Sequence, residues 1–216
     1  DIVEIHNRPL ILNELMKNVK SKFVFYFHND PLSMSGSRLI SERKAILNNV
    51  DKLIFVSRWV KERYFIGIDL KLSYKAQIIY PSVNKIKYKD KIKIITYVGK
   101  LNYAKGYDIY KNAILNILDK FPEWKALSIG DEIRRKIYIN HKQHSELGFL
   151  SHKKTIDILS KSEIAVVPSR WEEPFGRVAL EATACGCATI TSDMGGLNET
   201  TDHSIILKKN NVANLF

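Results

Sequence analysis

Two carboxylates, Glu173 and Glu181, are separated by seven residues, and between them lie Pro174-Phe175-Gly176 and the helix-forming run Arg177-Val178-Ala179-Leu180. An apolar run at 164–167 leads in, and small residues at 182–186 lead out. The first acid belongs on a loop at the carboxyl end of a strand, and the second about one and a half turns into the helix that follows. An open α/β sheet binds its ligand at that place. Pro174 favours a turn, and Gly176 lets the backbone approach a ligand closely. The first turn of the helix offers unpaired N–H groups and a positive dipole end, which suit a diphosphate. Carboxylates repel phosphate and suit sugar hydroxyls, from which they accept charge-assisted hydrogen bonds. A capped helix carrying two solvated acids is the plain alternative.

Two further sets of residues have the same character. Lys100 and Lys105 follow the strand-like run Tyr97-Val98-Gly99 and precede a helical pattern beginning at Gly106, so both can reach one anion across a turn. His28 closes the apolar run Phe23-Val24-Phe25-Tyr26-Phe27, and His6-Asn7-Arg8 stands at a similar strand end one unit earlier. His141 and His144, three apart in a basic stretch compatible with a helix, have no carboxylate or cysteine to complete a metal set and read as a solvated face. Asp131 and Glu132 read as a helix cap or start. There is no Asp-x-Asp and no Gly-x-Gly-x-x-Gly, so neither a metal-bound nucleotide nor a nicotinamide cofactor is indicated.

The elements that must position these groups alternate. Strand-like runs fall at 2–6, 23–28, 52–56, 76–80, 92–99, 124–129, 163–168, 188–191 and 204–207. Helical patterns fall at 9–20, 37–48, 58–65, 106–121, 155–160 and 177–185. This alternation predicts an α/β protein with parallel sheets. Residues 85–91 lack apolar periodicity and read as a linker.

Composition sets bounds. The chain has 216 residues, 45% of them hydrophobic, and a formal net charge of +11. No apolar run approaches the length of a spanning helix. Residues 1–91 carry 17 Lys and Arg against 9 Asp and Glu, so the first part is the basic one. An anionic surface or substrate explains that excess, and so does a Lys-rich composition. The lysines are dispersed, unlike those of a nucleic-acid-binding module. Cys185 and Cys187 flank Gly186 in no redox or zinc pattern and read as reduced packing residues, which points to the cytoplasm. The chain begins almost inside a strand and stops where a helix starts, at 213–216, so it reads as a fragment.

The motif Glu173–Glu181 resembles the "Glu, seven residues, Glu" signature of retaining glycosyltransferases with two Rossmann-like domains, the GT-B fold, and of family 4 in particular. Tyr97-Val98-Gly99-Lys100-Leu101 with Lys105-Gly106 resembles the family's phosphate-binding turn. Leu127-Ser128-Ile129-Gly130-Asp131 resembles its second strand, and 190–199 its Gly-Gly loop. The resemblance implies two domains facing a cleft. Residues 1–84 would be the end of the acceptor-side domain, 85–91 the linker, and 92–216 the donor-binding domain with its C-terminal end missing.

The resemblance also implies roles. Lys100, a lysine where relatives often have arginine, and Lys105 would neutralise the donor diphosphate. Glu173 would hold hydroxyls of the donor sugar, with Phe175 and Gly176 supplying N–H groups. Glu181 would hold the ribose, and Gly99, Gly195 and Gly196 would let their loops run close to the donor. His28 would bond the transferring sugar, and Arg177 would reach phosphate or be solvated. The implied partners are a UDP- or GDP-sugar donor and a glycan or lipid-linked acceptor, with no nucleic acid, metal or other cofactor. The implied setting is cell-envelope polysaccharide or lipopolysaccharide synthesis in the cytoplasm, at or near the inner face of the plasma membrane. A nucleotide-sugar epimerase of the same fold and a non-catalytic sugar-nucleotide binder are the alternatives.

Overall fold

The computed structural model describes residues 1–207 apart from Lys85, Tyr88 and Arg135. The helix start expected at 213–216 lies outside the described residues, as do Lys85 and Tyr88 of the expected linker. The chain separates into two compact units, Asp1–Pro81 and Ser82–Phe216.

The first unit is a four-stranded parallel sheet in sequential order: β1 (Ile2–His6), β2 (Lys22–Phe27), β3 (Lys52–Phe55) and β4 (Ala76–Ile78). The connections carry α1 (Leu12–Asn18), α2 (Ile40–Asn49) and α3 (Arg58–Phe65). The expected helix at 9–20 begins as a 3-10 turn, Pro9–Ile11, before α1. Ser57 caps α3 by accepting from the Val60 N–H at 3.0 Å. The core is aromatic, with Phe27, Phe55 and Tyr64 in mutual ring contact. Arg43 is buried beside it. Its guanidinium donates to the carbonyls of Tyr64, Ser37, Arg38 and Ile66 at 2.6–3.2 Å, stitching α2 to the chain on either side.

The second unit has six parallel strands in the order β10-β9-β8-β5-β6-β7. They are β5 (Ile92–Val98), β6 (Lys125–Ile129), β7 (His144–Glu146), β8 (Ser162–Val167), β9 (Ala188–Ser192) and β10 (Ile205–Leu207), joined with α4 (Tyr107–Lys120), α5 (His152–Lys161) and α6 (Arg177–Ala184). Strand order runs one way from β5 and the other way from β8, so the switch point lies between those two neighbours. Ligands of open α/β sheets sit outside the carboxyl ends of the strands at such a point. Tyr107, Tyr110 and Ile114 of α4 share one buried cluster with Tyr97 of β5. Leu159, Ala165, Ala182, Cys185 and Cys187 form a second buried cluster.

Two expectations are corrected. Asp131 and Glu132 open no helix and lie in irregular chain just before the turn residues 133 and 134. Their carboxylates are taken elsewhere: Asp131 Oδ1 accepts from the neighbouring Glu132 N–H at 2.7 Å, and Glu132 Oε2 accepts from Asn102, 30 residues away, at 2.8 Å. His141 and His144 form no solvated helical face. His144 starts β7, a strand too short to show periodicity, and its Nε2 lies 2.8 Å from Ser128 Oγ. The His141 side chain is 13% exposed, with Nε2 3.3 Å from Asp119.

Candidate active site

The site grows from the two segments at the switch point. After β5 the chain turns through 99–106 and enters α4. Tyr97 OH donates to the Lys100 carbonyl at 2.7 Å and the Lys105 carbonyl at 3.2 Å, and Asn102 Oδ1 accepts from the Lys105 N–H at 3.0 Å. After β8 the chain runs through 168–176 into α6. The N–H groups of Arg170 and Trp171 both donate to the Ala104 carbonyl at 2.9 Å. Arg170 forms a bidentate pair with Asp108, at 2.5 and 2.7 Å, and lies 3.9 Å over the Tyr103 ring. The two segments are thereby locked together.

That lock sets the central contact. Lys105 Nζ lies 2.5 Å from Glu173 Oε1 and 4.3 Å over the Trp171 ring. Lys100 does not join it. Its side chain is exposed, and its charge is among the lesser causes that lower the Glu132 pKa, after the hydrogen bonds from Asn102 and the Arg134 backbone. Gly99 closes β5 and donates its N–H to the Ile129 carbonyl at 2.9 Å.

Glu173 is also fixed through its backbone. It pairs with Gly195 as an isolated parallel bridge, and the Gly196 N–H donates to the Glu173 carbonyl at 2.7 Å. A Cβ on Gly195, whose φ is +65°, would lie 2.4 Å from that carbonyl oxygen, so only glycine allows the approach. Gly176 precedes α6 with φ +98°, and a Cβ there would lie 2.3 Å from Leu197 Cδ1. Phe175 is buried, and its carbonyl accepts from Thr200 Oγ1 at 2.6 Å. The start of α6 is therefore pinned at the same strand edge.

Glu181 lies in the second turn of α6. Its Oε1 takes both His152 Nε2, at 3.1 Å, and Arg177 NH2, at 3.2 Å. Glu173 and Glu181 are only 9% and 7% exposed. The alternative of two solvated acids is therefore excluded: both are paired and nearly buried. Arg177 turns along its own helix to Glu181. Sequence reasoning missed Trp171, His152 and the Arg170–Asp108 pair. Each meets a partner 29 to 66 residues away, and no local pattern signals that. His28 belongs to the first unit, at the carboxyl end of β2.

Burial pushes the Cys185 thiol up to about 11 and raises that of Cys187, as suits packing residues. Among the described residues, no three His, Cys, Asp or Glu side chains gather into a metal-holding group, and no helix is long and apolar enough to cross a membrane.

The chain is 33% identical over 178 residues to an uncharacterized glycosyltransferase of Methanocaldococcus jannaschii, covering 80% of this chain and 49% of that protein. It is 29% identical over 162 residues to an uncharacterized 42.6 kDa protein in the cps region of Klebsiella pneumoniae, covering 73% and 42%. Spore coat protein SA of Bacillus subtilis is 26% identical over 234 residues, with 94% and 62% covered. The chain thus spans 42–62% of the length of these relatives. Among solved structures, Anabaena HepE in complex with UDP matches with a TM-score of 0.81 at 18% identity, over 100% of this chain and 66% of that one. A sucrose-phosphate synthase of Thermosynechococcus elongatus matches with a TM-score of 0.75 at 20% identity, over 99% and 62%. The fold is that of GT-B glycosyltransferases. The model of glycosyl transferases group 1 matches residues 82–215. With its switch-point site inside that span, this chain belongs to the glycosyl transferases group 1 family.

Proposed function

We propose that this chain carries the donor site of a retaining glycosyltransferase of family 4. It would move a hexose or N-acetylhexosamine from a nucleoside-diphosphate sugar to a glycan or lipid-linked acceptor. The observation that carries the reading is the Lys105–Glu173 pair, at 2.5 Å, on the strand edge from which α6 starts. A cation and a helix N-terminus suit a diphosphate, and a nearly buried carboxylate suits sugar hydroxyls. The lysine and carboxylate satisfy each other. A bound donor gives the lysine its phosphates and the carboxylate its hydroxyls. Glu181, one turn further along α6, takes the ribose.

In the reaction, the bond from the anomeric carbon to the diphosphate oxygen breaks and the bond to the acceptor oxygen forms on the same face. The acceptor proton passes to the departing phosphate. Protein catalysis is then positioning plus electrostatic stabilisation of the leaving group, and no metal or other cofactor is assigned. Solved structures of similar fold contain UDP, UDP-glucose and UDP-2-fluoro glucose, which supports a nucleoside-diphosphate hexose donor. The cps-region relative supports a role in cell-envelope polysaccharide synthesis. A cytoplasmic enzyme whose basic first part touches an anionic membrane surface fits that role.

The test is calorimetric titration of the chain with UDP, GDP and their common sugar conjugates, with and without Glu181→Ala. Selective binding of one nucleotide that disappears in the variant is the expected result. No binding to a chain that circular dichroism shows to be folded would overturn the reading.

A further inference from the structure

At the strand ends of the first unit, three side chains make a line of contacts. His6 closes β1, opposite Tyr26 of β2, and His28 follows β2. His6 Nδ1 lies 2.8 Å from His28 Nε2. The other nitrogen of His6, Nε2, lies 3.5 Å from Glu4 Oε2. The His6 ring stacks on Tyr26 with centroids 4.6 Å apart and planes within 13° of parallel, and it meets the His28 ring edge to edge, centroids 5.1 Å apart and planes within 17°. The backbone beneath is held as well. Asn7, at φ +53°, accepts from the His28 N–H at 2.8 Å and the Asn29 N–H at 3.3 Å through Oδ1. Ring planes and backbone are both fixed, so the open variable is where the protons sit.

Chemistry decides that. An ionised carboxylate has only acceptors to offer, so the His6 nitrogen facing Glu4 is the protonated one. In a neutral imidazole the other nitrogen is then bare. His6 Nδ1 therefore accepts, and His28 Nε2–H donates. Nδ1 of His28 is left without a proton. We infer that His6, backed by Glu4, is a positioning residue that holds His28 in the Nε2–H tautomer and presents its Nδ1 as an acceptor for a substrate hydroxyl. The identification of that hydroxyl as a sugar's rests on the transferase reading; the tautomer does not. Burial, and after it the charge of His6, lower the His28 pKa from 6.5, so the ring is neutral above neutral pH, where a tautomer is defined.

The experiment is long-range proton–nitrogen correlation NMR on the chain with 15N-labelled histidines, above neutral pH. The expected spectrum has His28 protonated at Nε2 and bare at Nδ1. His6→Asn keeps an oxygen acceptor near the place of Nδ1 and preserves that pattern. His6→Phe keeps a ring on Tyr26, removes the acceptor and gives averaged tautomer signals. Wild-type His28 protonated at Nδ1 overturns the inference, and so does a His28 signature unchanged in His6→Phe. In a transfer assay, His6→Phe lowers kcat/KM about five- to tenfold, the loss of one hydrogen bond, and His6→Asn restores most of it. A purely structural role would instead lower the melting temperature of both variants without separating their tautomers. The predicted spectrum together with unaltered transfer by His28→Ala would keep the tautomer assignment and remove His28 from the chemistry.

Discussion

The two units build their strand ends from the same parallel βα architecture and decorate them in opposite ways. In the first, the carboxyl ends of β1 and β2 hold stacked, hydrogen-bonded rings, with one carboxylate at 3.5 Å. In the second, the ends of β5 and β8 hold a dense set of ion pairs: Lys105–Glu173, Arg170–Asp108 and Arg177–Glu181. The interiors are reversed. The first unit buries a charged side chain, Arg43, among carbonyls, whereas the described core of the second is bridged by tyrosine hydroxyls, such as that of Tyr110 on the Ile95 and Leu127 carbonyls at 3.1 Å. Buried charge is therefore held in two ways: Arg43 by backbone carbonyls, and Glu173 and Glu181 by cationic and imidazole side chains at strand ends.

That contrast can be broken at Arg43. Arg43→Met removes a buried cation and leaves four carbonyls short of a donor. The expected cost is about 3–5 kcal/mol, confined to the first unit. Chemical denaturation with hydrogen exchange read separately for residues 1–81 and 82–207 checks it, and equal losses in both units would contradict the division. Lys105→Ala should act chiefly on binding, with a smaller loss of stability, in the second unit, from leaving the nearly buried Glu173 without its cation. Donor affinity should fall about thirty- to a hundredfold, the 2–3 kcal/mol typical of a desolvated charge pair losing one partner. Calorimetry on wild type and variant decides this.

pH should pull on the units from opposite ends. Tyr97, Tyr110, Cys185 and Cys187 in the second unit all have raised pKa values, burial being the first cause. The folded state holds these protons more tightly than the unfolded state does. Their contribution to stability is thus full below the ordinary thiol value of 9.0 and is lost as pH rises toward the Cys185 value of about 11. His28 has the reverse sign. Its lowered pKa contributes stability above 6.5 that is lost as pH falls. Tyr64, also raised by burial, gives the first unit a smaller alkaline loss. Exchange rates measured across pH should show residues 82–207 loosening first in alkali. The smallest effect is expected at Trp171. Trp171→Leu removes the ring under Lys105, worth about 0.5–1 kcal/mol, and should weaken donor binding two- to fivefold by calorimetry without touching stability.

The order of strands and helices was legible because each run carries its own period and is bounded by turn residues. The expected elements at 2–6, 52–56, 92–99 and 177–185 match β1, β3, β5 and α6 to within a residue. β7 was not legible: three residues cannot show a period, and His144 is a strand residue only because β6 lies beside it. Glu173 and Glu181 could be singled out by spacing around Pro-Phe-Gly, and the glycines by the turns they permit. Their partners could not. Whether Lys100 or Lys105 meets Glu173 depends on Ala104 receiving two N–H groups from residues 170 and 171, and His152 meets Glu181 across 29 residues. Local sequence determined which residues could do chemistry and which elements carry them, because periodicity, turn chemistry and helix ends are short-range effects. Tertiary structure alone decided which charges pair and which protons are shared, because those depend on distances between strands that the sheet order, and not the sequence order, makes neighbours.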